Sequence, residues 1–253
     1  MTDTTNTVGS FSARAQVYDQ YRWPFDEKIV SRILGRLHRP EQAVCADIGS
    51  GTGMLAHLFV DKVSSIYCIE PSEEMRRLAV SRLNAFPAFI DISGFSNDTG
   101  LADACVDVIL VGRALHWFDI QSSKREFKRI SRAPHWLAIV RTPCTDTELM
   151  SSLDALSTQN VGVDLAQKTR RIADVENKYF TGTGYETFAF PGVVVETWEE
   201  FFNRISSFSY APRPGSVLYP RFREALLGIF KSRSQEGKII IPMKTEVLLG
   251  KLS

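Results

Sequence analysis

The sequence has few of the residues that build metal sites or disulfide scaffolds. Its 253 residues include only four cysteines and four histidines. The cysteines show no Cys-x-x-Cys spacing and form no metal-ligand pattern with the histidines. Three cysteines lie in or next to apolar runs, so we expect buried free thiols, no bound metal and, by default, a reducing cytoplasmic location. The four cysteines are Cys45, Cys68, Cys105 and Cys144.

The chain also lacks an excess of one charge and lacks long apolar runs. Thirty Lys and Arg residues against 29 Asp and Glu residues give a formal net charge of +1. This balance gives no overall electrostatic reason to expect nucleic acid or an anionic membrane as a partner. No apolar run approaches the roughly 20 residues that span a bilayer. Residues 1–10 are polar, without the apolar core of a secretory signal.

One stretch, residues 44–53, organises what remains. It reads Val-Cys-Ala-Asp-Ile-Gly-Ser-Gly-Thr-Gly, an apolar run leading into an acid and three glycines spaced two apart. Seventeen residues after Gly53, a second apolar run ends in Glu70 and Pro71. This layout predicts a strand, a tight turn, a helix beginning near Gly53, and a second strand with a carboxylate at its tip.

Each part of this stretch suits a nucleoside bound across the carboxyl ends of parallel strands. The glycines allow positive φ angles and let a ligand approach the backbone closely. Glu70 can accept two hydrogen bonds from a ribose diol. The spacing is not the Gly-x-Gly-x-x-Gly of dinucleotide folds, and Asp47 suits an ammonium or polar group better than a pyrophosphate. A glycine-rich turn without a ligand is the structural alternative.

These residues resemble the class I S-adenosylmethionine (SAM)-dependent methyltransferases, and more narrowly the type-11 small-molecule group, which includes trans-aconitate methyltransferase-like enzymes. The resemblance covers nearly the whole chain. It implies an α/β, Rossmann-like class I methyltransferase fold: a seven-stranded, mostly parallel sheet with the last strand antiparallel and helices on both faces. It also implies a single domain over residues 1–253, with an N-terminal cap at about 11–24 and a helical lid insert at about 196–237. The closing segment matches the group at Pro242, Thr245, Glu246, Val247 and Gly250.

The resemblance implies SAM as the cofactor, S-adenosylhomocysteine as its product, and no metal. Met75 is one of the cofactor-binding residues that the resemblance implies, but it can also be a core residue on the apolar face of a helix. Asn97 stands where the family has Glu in the stretch that lines the adenine pocket, so any role of that carboxylate is lost or altered. The implied cofactor-binding residues are Asp47, Gly49, Ser50, Gly51, Gly53, Glu70, Pro71, Met75, Phe95, Ser96 and Arg113.

The family has an Ala-x-His-Trp-Phe segment similar to residues 114–118 of this chain. Its position after the fourth apolar run predicts that His116 and Trp117 face the methyl acceptor. His116 is the candidate proton acceptor, because histidine ordinarily titrates near neutrality. The alternative is that Trp117 and Phe118 pack the next helix and His116 makes a structural hydrogen bond.

An aromatic and arginine-rich stretch near the N-terminus supplies three more candidates, Tyr18, Tyr21 and Arg22. They either cap the cofactor near its carboxylate and contact substrate, or cover an edge of the core, and these roles are not exclusive. Trp23 departs from the family's Tyr-Arg-Pro pattern, which alters the edge of the pocket.

The predicted function is methyl transfer from SAM to an O or N atom of a small-molecule metabolite, by a monomer or homodimer without nucleic acid or membrane partners. A carboxylate acceptor needs no base, whereas a phenol, alcohol or amine acceptor can use His116. The sequence leaves both open.

Two other classes of function stay open as well. One is a NAD-dependent oxidoreductase, which the glycine spacing disfavours. The other is a nucleoside-binding protein without turnover that serves another enzyme as a partner.

Overall fold

The computed structural model describes residues 19–162, 164–165, 174, 178–180, 184–208 and 211–252. A seven-stranded sheet forms its centre, in the order β3-β2-β1-β4-β5-β7-β6. In chain order the strands are β1 (Val44–Ile48), β2 (Ser65–Ile69), β3 (Phe89–Ile92), β4 (Val106–Gly112), β5 (Ser131–Arg141), β6 (Tyr185–Thr197) and β7 (Lys238–Lys251).

Strands β1 to β5 are parallel, and β7 runs antiparallel to both of its neighbours, β5 and β6. The predicted sheet, with its last strand reversed, is therefore confirmed. The chain moves outward from β1 to β3 and then returns to lay β4 on the other side of β1. This reversal opens a crevice at the carboxyl ends of β1 and β4, where such sheets bind ligands.

Helices cover the sheet and are separated by short loops. Side-chain caps begin several of them, as Ser72 does when its hydroxyl accepts a hydrogen bond from the Met75 amide. The α-helices are α1 (Lys28–Leu34), α2 (Ala56–Phe59), α3 (Glu73–Leu83), α4 (Ile120–Ile130), α5 (Thr147–Val161), α6 (Trp198–Ser206) and α7 (Tyr219–Arg233). Short 3-10 turns form at Pro40–Gln42 and Leu115–Trp117.

The apolar strands are buried on both faces, as in parallel sheets covered by helices. Alternate β4 residues divide between two core clusters: Val108 and Leu110 pack with α1 and α2, whereas Ile109 and Val111 pack with α4. The prediction of helices on both faces is confirmed. Among the described residues, no helix has the length and apolarity to cross a membrane.

A third apolar cluster joins the predicted insert to the sheet, since it includes Ile239, Ile241 and Met243 of β7. Helices α6 and α7 fall between β6 and β7 and pack with α5 and with Trp23 from the N-terminal segment. Phe201 and Phe222 are fully buried there. The insert at 196–237 therefore shares its apolar cluster with α5, β7 and Trp23, and its role as a lid stays a prediction. Only residues 19–24 of the predicted cap lie within the described residues.

The structure corrects one predicted helix boundary and part of the cysteine prediction. The helix expected near Gly53 begins at Ala56 and has one turn, because positive φ angles at Gly51 and Gly53 take the preceding backbone out of right-handed helix. The thiols of Cys45 on β1 and Cys68 on β2 are buried, whereas those of Cys105 and Cys144 are only half-buried.

Candidate functional site

A pocket opens at the carboxyl ends of β1 and β4. The turn after β1 forms one wall, and the end of β4 and the N-terminal segment form the others. The residues lining it are Phe25, Asp47, Gly49, Ser50, Gly51, Thr52, Met54, Leu55, Gly112 and Arg113.

Asp47, near the end of β1, is the buried acid of this pocket. Its side chain belongs to a residue that is 1% exposed, and neither carboxylate oxygen completes a hydrogen bond with a described group. Burial, together with the charge of the Glu70 carboxylate, raises the pKa of Asp47 to about 7, and the nearby Ala56 amide acts in the opposite direction. A buried acid with unused acceptor positions suits a ligand that brings a cation or hydrogen-bond donors.

The glycine turn is shaped partly by packing and partly by space left open. Gly49 has φ +70°, and an added Cβ would lie 2.5 Å from the Ala114 Cβ. Gly51 has φ +55°, and an added Cβ would meet nothing within 4 Å. Gly49 is therefore required by its protein neighbours, whereas Gly51 leaves a concave surface that a ligand can occupy.

Glu70 holds this turn from the end of β2. Its Oε2 accepts a hydrogen bond from the Gly51 amide at 3.0 Å, and its Oε1 accepts one from the Ser72 amide at 2.9 Å. Burial raises the pKa of Glu70, although these two amides and Arg76 act in the opposite direction. Each oxygen has a further lone pair, so the carboxylate can also accept from the two hydroxyls of a diol.

Arg113 lies across the pocket from the turn, directly after β4. It has φ +59°, and its guanidinium lies 4.1 Å from the centre of the Phe25 ring. Its side chain also donates a hydrogen bond to the Trp23 carbonyl. Arg113 therefore joins the N-terminal segment to the pocket, as well as lining it.

The predicted cap residues lie close to this segment but do not line the pocket. Tyr21 and Arg22 are half-buried, and the Arg22 guanidinium lies 4.3 Å from the centre of the Phe208 ring, beyond α6. Tyr18 lies outside the described residues. The contact between Arg22 and Phe208 links the N-terminal segment to the insert.

The predicted adenine-side residues also lie outside the lining. Phe95 is 48% exposed, and it and Ser96 lie in a loop closed by hydrogen bonds between Phe95 and Asp98. Glu126 fixes the following residue, Thr99, by accepting from its amide at 2.9 Å and its hydroxyl at 2.6 Å. This anchored loop leaves the Phe95 ring free to contact a ligand that extends beyond the pocket.

Three other predicted cofactor residues serve the packing around the site. Met75 is 3% exposed beneath the start of α3, and Pro71 is half-buried before that helix. An added Cβ at Gly53 would lie 2.8 Å from Leu83, so Gly53 permits close packing of the turn against α3. Of the predicted cofactor set, Asp47, Gly49, Ser50, Gly51 and Arg113 line the pocket.

His116 and Trp117 are exposed after β4 and do not line the pocket. Their ring centroids are 4.8 Å apart, and Trp117 is 43% exposed. Phe118, by contrast, packs edge-on against Phe127 of α4. The packing alternative therefore describes Phe118, while His116 and Trp117 keep accessible surface for a second molecule.

Five lining residues were missed by the sequence analysis: Phe25, Thr52, Met54, Leu55 and Gly112. Thr52 lies inside the recognised motif, but its residue type gave no separate signal for contact with a ligand. At Gly112 an added Cβ would lie 3.0 Å from Leu55 and 3.3 Å from Phe25. A glycine at the end of an apolar strand could have indicated close packing at Gly112. The sequence does not show that the packing partners are Leu55 and Phe25, which are distant in the chain.

Among the described residues, no group of three or more His, Cys, Asp or Glu side chains could hold a metal ion. The polar side chains that line the pocket are instead those of Asp47, Ser50, Thr52 and Arg113, and Glu70 adjoins them through its bond to the Gly51 amide. Such a site can hold a ligand that carries both a cationic group and a diol.

Residues 46–139 match the type-11 methyltransferase domain family. Uncharacterized methyltransferases of Mycobacterium bovis and Mycobacterium tuberculosis are each 28% identical to the chain over 131 residues, which is 52% of this chain and 51% of the relative. The match thus spans about half the length of these curated relatives.

Solved structures extend the likeness over most of the chain. A protein provisionally described as a type II methyltransferase from Anaeromyxobacter dehalogenans superposes with a TM-score of 0.62 at 19% identity, covering 91% of this chain and 97% of that one. The YcgJ protein of Bacillus subtilis gives 0.56 at 14% identity, covering 90% and 99%. At these identities the structures show the fold. None of these four relatives is described by activity on trans-aconitate, so that narrower resemblance stays a prediction. The sheet order is that of the class I methyltransferase fold, and the matched domain supports the resemblance to that family.

Proposed function

We propose that the protein transfers a methyl group from SAM to an O or N atom of a small-molecule metabolite. The observation that carries the proposal is the Asp47 carboxylate, buried in the pocket without a completed hydrogen bond. The ammonium group of SAM supplies both the charge and the donors that this acid lacks. A dinucleotide pyrophosphate would bring negative charge to the same acid, which disfavours the oxidoreductase alternative.

The pocket residues divide the binding of SAM between them. Asp47 takes the ammonium end, the open surface at Gly51 lies against the ligand, and Glu70 accepts from the ribose hydroxyls. Arg113 provides positive charge on the opposite wall for the cofactor's carboxylate, with Tyr21 and Arg22 close by in the N-terminal segment. When bound, SAM supplies a methyl group activated on a sulfonium.

The chain's own contribution to catalysis is then alignment and exclusion of water. Phe25, Met54 and Leu55 give the pocket apolar walls, and the insert lies beside the N-terminal segment. Holding two reactants in line within such walls can supply several kcal/mol, about 7–11 kcal/mol in well-oriented intramolecular reactions. No metal is required by this arrangement.

The acceptor side is assigned to His116 and Trp117, which are exposed at the carboxyl end of β4. Trp117 offers a flat apolar surface, and His116 offers a nitrogen that can accept a proton from a phenol, alcohol or amine. A carboxylate acceptor would use His116 for binding alone. The near-neutral net charge favours a small molecule over nucleic acid or membrane. We likewise propose a cytoplasmic monomer or homodimer.

The test is incubation of the purified protein with methyl-labelled SAM and a metabolite extract, followed by mass spectrometry. We expect a labelled product with the wild type and none with Asp47→Asn. SAM binding without any labelled product would favour the nucleoside-binding protein without turnover. Binding of NAD in preference to SAM would favour the oxidoreductase and contradict the proposal.

A further inference from the structure

We propose that Arg82 is a positioning residue that fixes the glycine turn and the N-terminal segment 19–25 around the bound cofactor. Arg82 is on α3 and does not line the pocket. Its role is to hold two groups that border the pocket in one arrangement. The inference rests on the proposed function for the identity of the ligand. The restraint that Arg82 places on the two groups can be tested without ligand.

The guanidinium of Arg82 makes contacts in two directions. Its Nη2 donates to both carboxylate oxygens of Asp19, at 2.7 and 2.9 Å. Its Nη1 donates to the Thr52 carbonyl and, at 3.2 Å, to the Thr52 hydroxyl. One side chain thus joins the start of the described N-terminal segment to the middle of the glycine turn.

The turn needs such a restraint because of its own backbone. Thr52 stands between Gly51 and Gly53, both with positive φ, and glycines permit many backbone conformations at little cost. Glu70 fixes the Gly51 amide from one side. Arg82 fixes the Thr52 carbonyl and hydroxyl from the other, so the concave surface between them is held before any ligand arrives.

The other end of segment 19–25 is held by the insert. The Trp23 indole donates to Glu196 at 2.7 Å, and Glu196 is paired with Arg204 at 2.6 Å. Both charged side chains are almost fully buried, 5% and 6% exposed. The Arg82–Asp19 pair and the Trp23–Glu196 bond therefore hold the two ends of the segment, with the predicted cap residues Tyr21 and Arg22 between them.

The Arg82–Asp19 pair is better shielded from solvent than an exposed surface pair. The two side chains are only 26% and 24% exposed, so solvent screens them less. One Arg82 nitrogen also contacts both carboxylate oxygens, and charge-assisted bonds of this kind exceed neutral ones. Loss of the pair should release the N-terminal end of the segment while its Trp23 end stays bound.

The first experiment compares Arg82→Gln with Arg77→Gln, a matched control on the same helix whose pair with Glu73 is exposed at 71% and 64%. Amide hydrogen exchange is measured without ligand over residues 19–25 and 50–53. Arg82→Gln should accelerate exchange in both segments, and Arg77→Gln in neither. Asp19→Asn should accelerate exchange in 19–25 alone, since the Thr52 bonds remain. Equal exchange in Arg82→Gln and Arg77→Gln would overturn the inference.

The second experiment measures the dissociation rate of SAM and the kinetic constants of the same variants. Arg82→Gln should raise the dissociation rate by about tenfold and raise KM for SAM more than it lowers kcat. Arg82→Lys should fall between it and the wild type, because a lysine cannot span both partners in a fixed geometry. Unchanged dissociation in Arg82→Gln would overturn the retention role. A wild type that binds no SAM would overturn the proposed function. The hydrogen-exchange result would still decide whether Arg82 restrains the two segments.

Discussion

The amide of Gly51 and the carboxylate of Glu70 are joined by a hydrogen bond of 3.0 Å. This bond ties the turn after β1 to the end of β2, so the two halves of the recognised motif form one unit before a ligand binds. Glu70 therefore shapes the turn, and the proposed contact with the ribose would give it a second role. Its replacement should affect both.

Glu70→Ala should weaken SAM binding by about tenfold or more, because it removes the acceptor for a diol and leaves two amides without their partner. Glu70→Gln keeps one acceptor oxygen and should give an intermediate affinity. Calorimetric titration measures both. Glu73→Gln, an exposed acid three residues later, is the control and should bind as the wild type does. Unchanged affinity in Glu70→Ala would refute the ribose role.

Alanine at two glycines of the turn should separate folding from binding. Gly49→Ala combines a positive φ with a contact of 2.5 Å to the Ala114 Cβ, and should lower the free energy of unfolding by about 3 kcal/mol. Gly51→Ala has no such contact within 4 Å and should cost about 1 kcal/mol. Its methyl group enters the ligand's space, so it should weaken SAM binding about tenfold.

Urea denaturation and calorimetry of the two glycine variants check this separation. Equal destabilisation by both variants would mean that the surface at Gly51 is packed by protein in solution. Full SAM affinity in Gly51→Ala would show that the ligand does not lie against the turn.

The stability of the unliganded protein should fall as pH rises from about 4 to about 7. The pKa of Asp47 is raised from 3.8 to about 7 in the folded state. In that window the folded protein therefore keeps a proton that the unfolded chain has released, so raising the pH favours unfolding. Asp47→Asn should abolish this part of the slope. Urea denaturation at about pH 5 and about pH 8 measures it, and an unchanged slope would contradict a buried, titrating acid.

SAM binding should have the opposite pH dependence. The ammonium of the ligand stabilises the ionised form of Asp47, so binding below about pH 7 should release a proton and affinity should rise with pH. Calorimetry in buffers of different ionisation enthalpy counts that proton. The Asp47→Asn variant is the control, with no release expected. Proton uptake on binding would contradict the placement of the ammonium at this acid.

His116→Ala should lower turnover while leaving SAM affinity nearly unchanged, because the imidazole lies outside the pocket lining on the acceptor side. His116→Gln, which keeps a polar side chain without a proton acceptor of suitable strength, separates binding from base catalysis. Turnover is measured on the product found with labelled SAM. A large loss of SAM affinity with normal turnover would indicate a structural histidine.

The sequence predicts site residues best where residues of a given type, at a given spacing, are explained by a single kind of ligand contact. The acid, the glycine turn and the second acid at this distance predicted Asp47, Gly51 and Glu70; the first two line the pocket and Glu70 bonds to the turn. Their contact with a nucleoside stays a prediction. The helix start expected near Gly53 was wrong because the apolar pattern of the following residues does not reveal that Gly51 and Gly53, on either side of Thr52, both have positive φ.

Other parts of the site depend on contacts between distant segments. Phe25 and Gly112 reach the same pocket only because the N-terminal segment packs over the end of β4. Arg82 reaches Asp19 across 63 residues, and an arginine on a helix gives no sequence signal for such a partner. These residues become visible only when tertiary packing brings their segments together.

A crystal structure with S-adenosylhomocysteine tests the central claim most directly. We predict the ligand in the crevice between β1 and β4, with its ammonium nitrogen within hydrogen-bonding distance of Asp47 and its ribose hydroxyls at Glu70. Density for the ligand elsewhere, or a crevice that stays empty at saturating ligand, would contradict the account.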